Sequence, residues 1–268
     1  MERLAVAPLT MEGWARRRRR ARQLLDRHGF AAQLLRLYGA LLDVQERAFL
    51  ATLDDAPAPS TLPAYVARQV MKDVAEATVA AGPPALAAGV QERLAAGDPT
   101  AYVAAWLAGE SQPPVEQYLA RAASAPVLEA LGPAAGEACR QPGGDRQCPR
   151  CGGLPQLSYL SESPEALVSG PRMLECCRCG ESWIHQRMTC AACGELSAGK
   201  LPIFTDPDRF PHLRADACET CRRYMITVDL RKEPAGVPVV DEMVALPLDL
   251  YAQERGFAKI VPNLMAIG

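Results

Sequence analysis

The sequence is 268 residues long, room for one large or two modest domains, and is 49% hydrophobic but 6% aromatic, a balance that favours helices packed through aliphatic side chains. A formal net charge of −2 excludes a general polyanion binder, whose affinity would come from excess Lys and Arg displacing counterions. No stretch approaches the roughly 18 apolar residues of a membrane span, and Met1 to Arg20 lacks the apolar core of a signal peptide, so the expectation is a soluble, cytoplasmic chain that is not exported.

The first charged feature is the run Arg16 to Arg20, continued by Arg22. It reads as the solvated start of a first helix, the alternative being a docking surface for an acidic partner. From about Ala31 to Leu50, Leu34, Leu35, Tyr38, Leu41, Leu42 and Phe49 share one helical face while Arg36, Asp43 and Glu46 share the other. Three further apolar stripes follow: Tyr65, Val66, Val70 and Val74; Leu86, Val90 and Leu94; Tyr102, Val103, Trp106 and Leu107. Breakers separate them at Pro57 and Pro59, Gly82-Pro83-Pro84, Gly97-Asp98-Pro99 and Pro113-Pro114. Asp98 fits an N-cap with Pro99 at the first helical position. Five to seven short helices are expected over 1–145, ending in a linker from Gly132 to Gln147.

The pattern then changes. Short β-like runs, Ser182-Trp183-Ile184-His185 and Tyr224 to Val228, alternate with cysteine pairs. Eight of the ten cysteines form four Cys-x2-Cys pairs, and Cys190, Cys193, Cys218 and Cys221 each follow Cys148, Cys151, Cys176 and Cys179 by 42 residues. A constant offset marks an internal duplication. Two thiolates in one tight turn reach a single ion at about 2.3 Å and leave two tetrahedral corners for a second turn to fill. Two metal sites follow, one from Cys148, Cys151, Cys176 and Cys179, the other from Cys190, Cys193, Cys218 and Cys221, although a cross-brace joining the first pair to the third would use the same cysteines. Zinc and iron both accept four thiolates, so structural zinc and a rubredoxin-like iron site remain open. The modules are placed at 146–188 and 189–232, with a C-terminal helix from about Val240 to Arg255 and a tail over 233–268. The fold class is α+β, mainly α.

Glycine follows the second cysteine at Gly152, Gly180 and Gly194, where a left-handed residue lets backbone N–H groups turn toward sulfur. Arg222 stands at the fourth such position, which predicts a differently shaped knuckle or a weaker second site. Arg150, Arg178, Arg222 and Arg223 sit in or beside the knuckles, either solvated or offsetting thiolate charge. Cys139 and Cys177 fall outside the ligand pattern; Cys177, beside Cys176, reads as a bystander, the alternatives being a substitute ligand or a reactive thiol, and Cys139 is assigned no role. None of His28, His185 and His212 has a local partner for catalysis, and no phosphate loop, nucleophile elbow or zincin motif is present. Closed four-sulfur shells leave no coordination position for hydrolysis. The expectation is a protein that is not an enzyme.

The chain resembles the bacterial formate dehydrogenase accessory proteins of the FdhE family. The resemblance rests on Cys148-Pro149-Arg150-Cys151-Gly152 with Pro155, then Gly170, Arg172, Leu174, Cys176, Cys179, Trp183 and Arg187, leading into Cys190-Ala191-Ala192-Cys193-Gly194. Leu35-Arg36-Leu37-Tyr38 with Leu41, Leu42 and Gln45, and Leu248-Asp249 with Glu254, Gly256, Phe257 and Pro262-Asn263, are similar too. The chain departs from the family pattern at Arg222, for glycine, and at Asp241-Glu242, for two aspartates. The resemblance implies a helical domain followed by two rubredoxin-like modules that carry iron. It also implies a cytoplasmic chaperone that acts on the molybdenum-containing catalytic subunit of respiratory formate dehydrogenase during assembly.

Two other classes compete. One is a rubredoxin-like redox protein acting on a partner's metal, sulfur or selenium centre. The other is a nucleic-acid-binding zinc ribbon, disfavoured because Lys and Arg barely outnumber Asp and Glu over 145–232, so that two tetrathiolate sites would make the region net negative.

Overall fold

A computed structural model of the chain describes residues 11–139, 144–161 and 170–264. Among these, no helix is long and apolar enough to cross a membrane. The chain divides into two compact units. The first comprises 1–143 with Arg150–Gly153 and Arg178–Glu181, and the second comprises Gly144–Pro149, Leu154–Cys177 and Ser182–Gly268.

Among the described residues, the first unit holds seven α-helices: α1 (Met11–Arg27), α2 (Ala32–Asp55), α3 (Leu62–Gln69), α4 (Met71–Ala81), α5 (Pro84–Ala96), α6 (Pro99–Ala108) and α7 (Pro114–Leu131). The stripe expected on α2 is buried at all six positions, and Leu37 and Val44 widen it. α2 packs on α1, α4 and α7. The second stripe is divided between α3 and α4, which break at Val70. Asp98 caps α6 as expected, its carboxylate accepting the Thr100 N–H at 2.8 Å. The third stripe is the weakest, since only Val90 of α5 is buried.

α7 is the most enclosed helix, and it contains Pro126. Proline has no N–H, so the carbonyl of Ala122, four residues earlier, loses its helical donor. Gln45 on α2 replaces it, Nε2 donating to Ala122 O at 2.9 Å from a buried side chain. The arginine run is not simply solvated. Arg17 lies over the Trp14 ring at 5.0 Å and pairs with Glu129 of α7 at 3.2 Å. Arg18 pairs with Asp43 and Glu46 of α2, and Arg20 is buried. Helical periodicity turns Arg17 and Arg20 inward, leaves Arg18 half-buried and Arg16, Arg19 and Arg22 exposed. The expected linker is also shorter, because Gly132–Ala138 is a 3-10 helix; Pro142 and Gly143 lie outside the described residues.

The second unit is built on one seven-stranded sheet. Its strands are β1 (Pro155–Leu160), β2 (Arg172–Cys176), β3 (Ser182–His185), β4 (Ile203–Thr205), β5 (Leu213–Cys218), β6 (Arg223–Asp229) and β7 (Ala258–Lys259). The order is β3-β2-β1-β6-β5-β4, with β7 also pairing β6. Each module contributes three antiparallel strands. The modules join where β1 runs parallel to β6, Leu157 beside Ile226 through Leu160 beside Asp229. The two tandem modules are therefore one continuous sheet, in which three strands repeat head to tail.

The C-terminal helix expected from Val240 to Arg255 is interrupted. α8 (Pro238–Asp241) passes through a 3-10 turn, Glu242–Val244, into α9 (Leu246–Glu254). Pro247 supplies no N–H and would clash with the preceding turn of an unbroken helix, so it sits in the first turn of a new one. This segment is pinned to the sheet by buried charge. The Lys259 ammonium lies 2.9 Å from Glu242 and 3.0 Å from Asp249. The Tyr224 hydroxyl donates to Asp249 at 3.0 Å, and His212 Nε2 lies 2.9 Å from Asp241. Asp241, Glu242 and Asp249 are all fully buried. They act inside the unit, not on its surface.

Two outcomes are expected from these contacts. Gln45→Leu leaves the Ala122 carbonyl without a donor and costs about 1–3 kcal/mol in denaturant unfolding. Adding Pro126→Ala, which restores the helical N–H, shrinks that loss; equal losses in both backgrounds contradict the assignment. Burial, opposed by Lys259 and reinforced by Glu242, raises Asp249 to about 6. The folded chain then holds a proton that the unfolded chain releases near pH 4, so this stabilisation is complete below pH 4 and fades as pH rises through 6. Asp249→Asn mimics the protonated form and should gain about 2–3 kcal/mol on the wild type between pH 4 and pH 7. A pH-independent difference contradicts it.

Candidate metal centres

Each cysteine knuckle is a tight turn, and each is followed by a left-handed residue. Gly152 has φ 68°, Gly180 65°, Gly194 84° and Arg222 56°. The knuckle at Cys218 thus keeps the shape of the other three, against the expectation drawn from its arginine. A side chain in that region costs roughly 1 kcal/mol. The Arg222 guanidinium offsets this by lying 3.9 Å over the Phe257 ring and by bonding Glu219 and the Arg255 carbonyl.

The knuckles bring the eight cysteines into two groups. The sulfurs of Cys148, Cys151, Cys176 and Cys179 lie within 4.8 Å of one another, as do those of Cys190, Cys193, Cys218 and Cys221. Pairing is therefore sequential within each copy, and the cross-brace does not occur. In the second group, Cys190 and Cys221 sulfurs are 3.7 Å apart, as are those of Cys193 and Cys218. A disulfide needs about 2.0 Å. A tetrahedron of sulfurs about 2.3 Å from a central ion has edges of about 3.8 Å. The donor set fits a tetrathiolate ion, zinc or iron.

The surroundings suit thiolates. Backbone N–H groups of Ala192 and Cys193 point at the Cys190 sulfur, and those of Thr220 and Cys221 at Cys218. Burial nonetheless raises the Cys190 and Cys221 thiols, so a cation is the natural partner for four ionised sulfurs in one place. Each copy also ties its two knuckles together. In the first, Arg150 pairs with Glu181. In the second, the Thr220 hydroxyl donates to Glu195 at 2.6 Å, a carboxylate that Thr220 and the Ser197 N–H hold down at about 2. Arg178 lies 5.6 Å over the Trp106 ring and donates to the Cys151 carbonyl at 3.3 Å. The two groups differ in exposure. All four cysteines of the first are buried, whereas Cys193 and Cys221 of the second are half-buried.

Cys139 and Cys177 are buried and join neither group. His185 is half-buried at the end of β3 and joins neither. His212 does meet a carboxylate, that of Asp241, 29 residues along the chain; no local spacing signals this pair. Arg172 is the other residue whose role the sequence does not state. Buried on β2, it donates to Ser158 Oγ at 3.2 Å and to the Thr189 carbonyl at 2.9 Å, beside Cys190. An arginine in an apolar alternating strand is the signal that marks it.

Comparison with known proteins places this geometry. Residues 188–266 match the family model described as FdhE, C-terminal domain. The protein FdhE homolog of Aquifex aeolicus (strain VF5) is 32% identical over 118 residues, 44% of this chain and 41% of that one. Protein FdhE of Escherichia coli O1:K1 / APEC is 30% identical over 125 residues, 46% of this chain and 39% of that one. The chain thus spans about two fifths of the length of the curated relatives it matches. The crystal structure of the FdhE protein from Pseudomonas aeruginosa superposes with a TM-score of 0.66 at 24% identity, over 95% of both chains, so the two share a fold.

Replacing Cys148 and Cys151 together by Ala should remove one of two metal equivalents by elemental analysis and leave the second. Retention of both equivalents contradicts the first site.

Proposed function

We propose that this chain belongs to the FdhE family, whose C-terminal domain model its residues 188–266 match, and that it is an accessory factor for a molybdenum-dependent formate dehydrogenase. In this reading it works in the cytoplasm and binds the catalytic subunit of that enzyme during assembly, without oxidising formate itself. The observation that carries the reading is the closure of both sulfur groups. Four cysteines surround each position and leave no ligand site for substrate or water. Metal ligation then contributes folding free energy and holds the knuckle loops rigid, and a preorganised surface binds a partner with little ordering cost.

The test is affinity capture of the full-length protein from cells growing with formate. The wild type is expected to recover a molybdoenzyme catalytic subunit, and the Cys148→Ala, Cys151→Ala variant to lose it. Failure of the wild type to recover that subunit, or full recovery by the variant, overturns the proposal.

The half-buried sulfurs of Cys193 and Cys221 favour a second reading, a redox role toward the partner's metal, sulfur or selenium centre. Iron in a four-sulfur shell supplies one-electron chemistry when bound. A red purified protein supports this role, and a colourless, fully metallated one removes it.

A further inference from the structure

The second unit contains a cavity of about 270 Å³ that the metal chemistry does not use. It opens beside the sheet and beside Cys190. Five arginines line it: Arg172, Arg187, Arg214, Arg223 and Arg231. Asp216 is the one acid in the lining among the described residues. Leu160, Leu201, Ile203, Met225 and Ile260 supply apolar wall.

The internal pairings do not neutralise this charge. Arg172 and Arg214 share Asp216, at 3.3 Å and 2.9 Å. Arg231 is held in a fork by Asp229, at 2.6 Å and 2.7 Å. Five cations against two carboxylates leave three positive charges. A tetrathiolate shell that includes Cys190 carries a charge of about −2, which offsets two of them and leaves the cavity net positive. Arg223 donates to the Lys259 carbonyl, a neutral acceptor. Arg187 donates to the Gly170 carbonyl through one terminal nitrogen, and its buried Nε has no hydrogen-bond partner among the described residues. A buried guanidinium N–H without an acceptor is costly and is ordinarily met by a ligand or water.

We infer that this cavity binds a carboxylate carried on a short aliphatic chain, the anion meeting Arg187 and Arg214 and the chain lying against Ile203, Met225 and Ile260. The guanidinium fork matches a carboxylate in shape as well as charge. The apolar wall distinguishes such a ligand from a bare inorganic anion. The volume lies just below the usual range for small-molecule sites, which limits the ligand to one small group. The carboxylate comes either from a free organic acid or from the C-terminus of a peptide, and both present the same chemistry. The site stands independently of the accessory role proposed above.

Calorimetric titration of the full-length metallated protein tests it, with hexanoate, 1-hexanol, inorganic phosphate, and a short peptide ending in leucine as free acid and as amide. Saturable binding of hexanoate or of the free-acid peptide is expected, tighter than that of phosphate and absent for hexanol and the amide. Arg187→Gln and Arg214→Gln should each weaken it about tenfold or more, with metal content unchanged. Arg214, whose side chain is 29% exposed, decides the matter should the Arg187 variant lose metal. Preference for hexanoate assigns a free acid as the source, and preference for the peptide a chain terminus. No saturable binding of either carboxylate by the wild type, phosphate binding more tightly than both, or wild-type affinity in Arg214→Gln overturns the inference.

Discussion

Four backbone turns carry the constraint on which the rest of the second unit depends. After each Cys-x2-Cys the chain enters the left-handed region, at Gly152, Gly180, Gly194 and Arg222. That conformation turns the chain back as it leaves the knuckle, toward the rest of its module. Moving any one of these φ angles to the ordinary helical region would redirect the chain that leaves the knuckle and carry its two sulfurs away from the other two of the group. Two such turns, held against each other by the hairpins of β1–β2 and β4–β5, leave the sulfurs at the spacing a tetrahedral ion requires.

The sheet follows from the same geometry. Because both modules have the same strand directions, the first strand of one and the third strand of the other can lie side by side in parallel, and β1 and β6 do so. Joining the modules in this way covers one edge of each and removes two of four exposed strand edges. It also produces a buried polar layer on one face of the sheet, in which Arg172, Ser158, Thr227 and Asp216 are linked by hydrogen bonds. The opposite side is sealed by the C-terminal segment, whose buried Lys259 holds Glu242 and Asp249 together. Removing Lys259 from this cluster would leave two acids buried without their cation.

Much of this was legible in the sequence because it is local. Apolar spacing identified α2 and the face it buries, Asp98 and Pro99 identified the start of α6, and the 42-residue offset identified both sulfur groups. What was not legible depends on residues distant in sequence. Gln45 completes the hydrogen bonding that Pro126 disrupts 81 residues later, and nothing near Gln45 announces it. Arg17 and Arg20 looked like solvated charge because a run of arginines hides the helical phase that turns two of them inward. Glycine at three knuckles suggested that Arg222 would distort the fourth; contacts with Phe257 and Arg255 compensate instead, and these lie more than thirty residues on. The merging of the modules into one sheet depends on strand directions that a single sequence does not encode by pattern.

The account stands on eight cysteines forming two closed sulfur shells. X-ray absorption at the metal edge, combined with metal stoichiometry of the purified chain, measures this directly. The expected result is two metal ions per chain, each with four sulfur neighbours at about 2.3 Å and no nitrogen or oxygen in the shell. A single ion per chain, or a shell completed by nitrogen or oxygen, contradicts it.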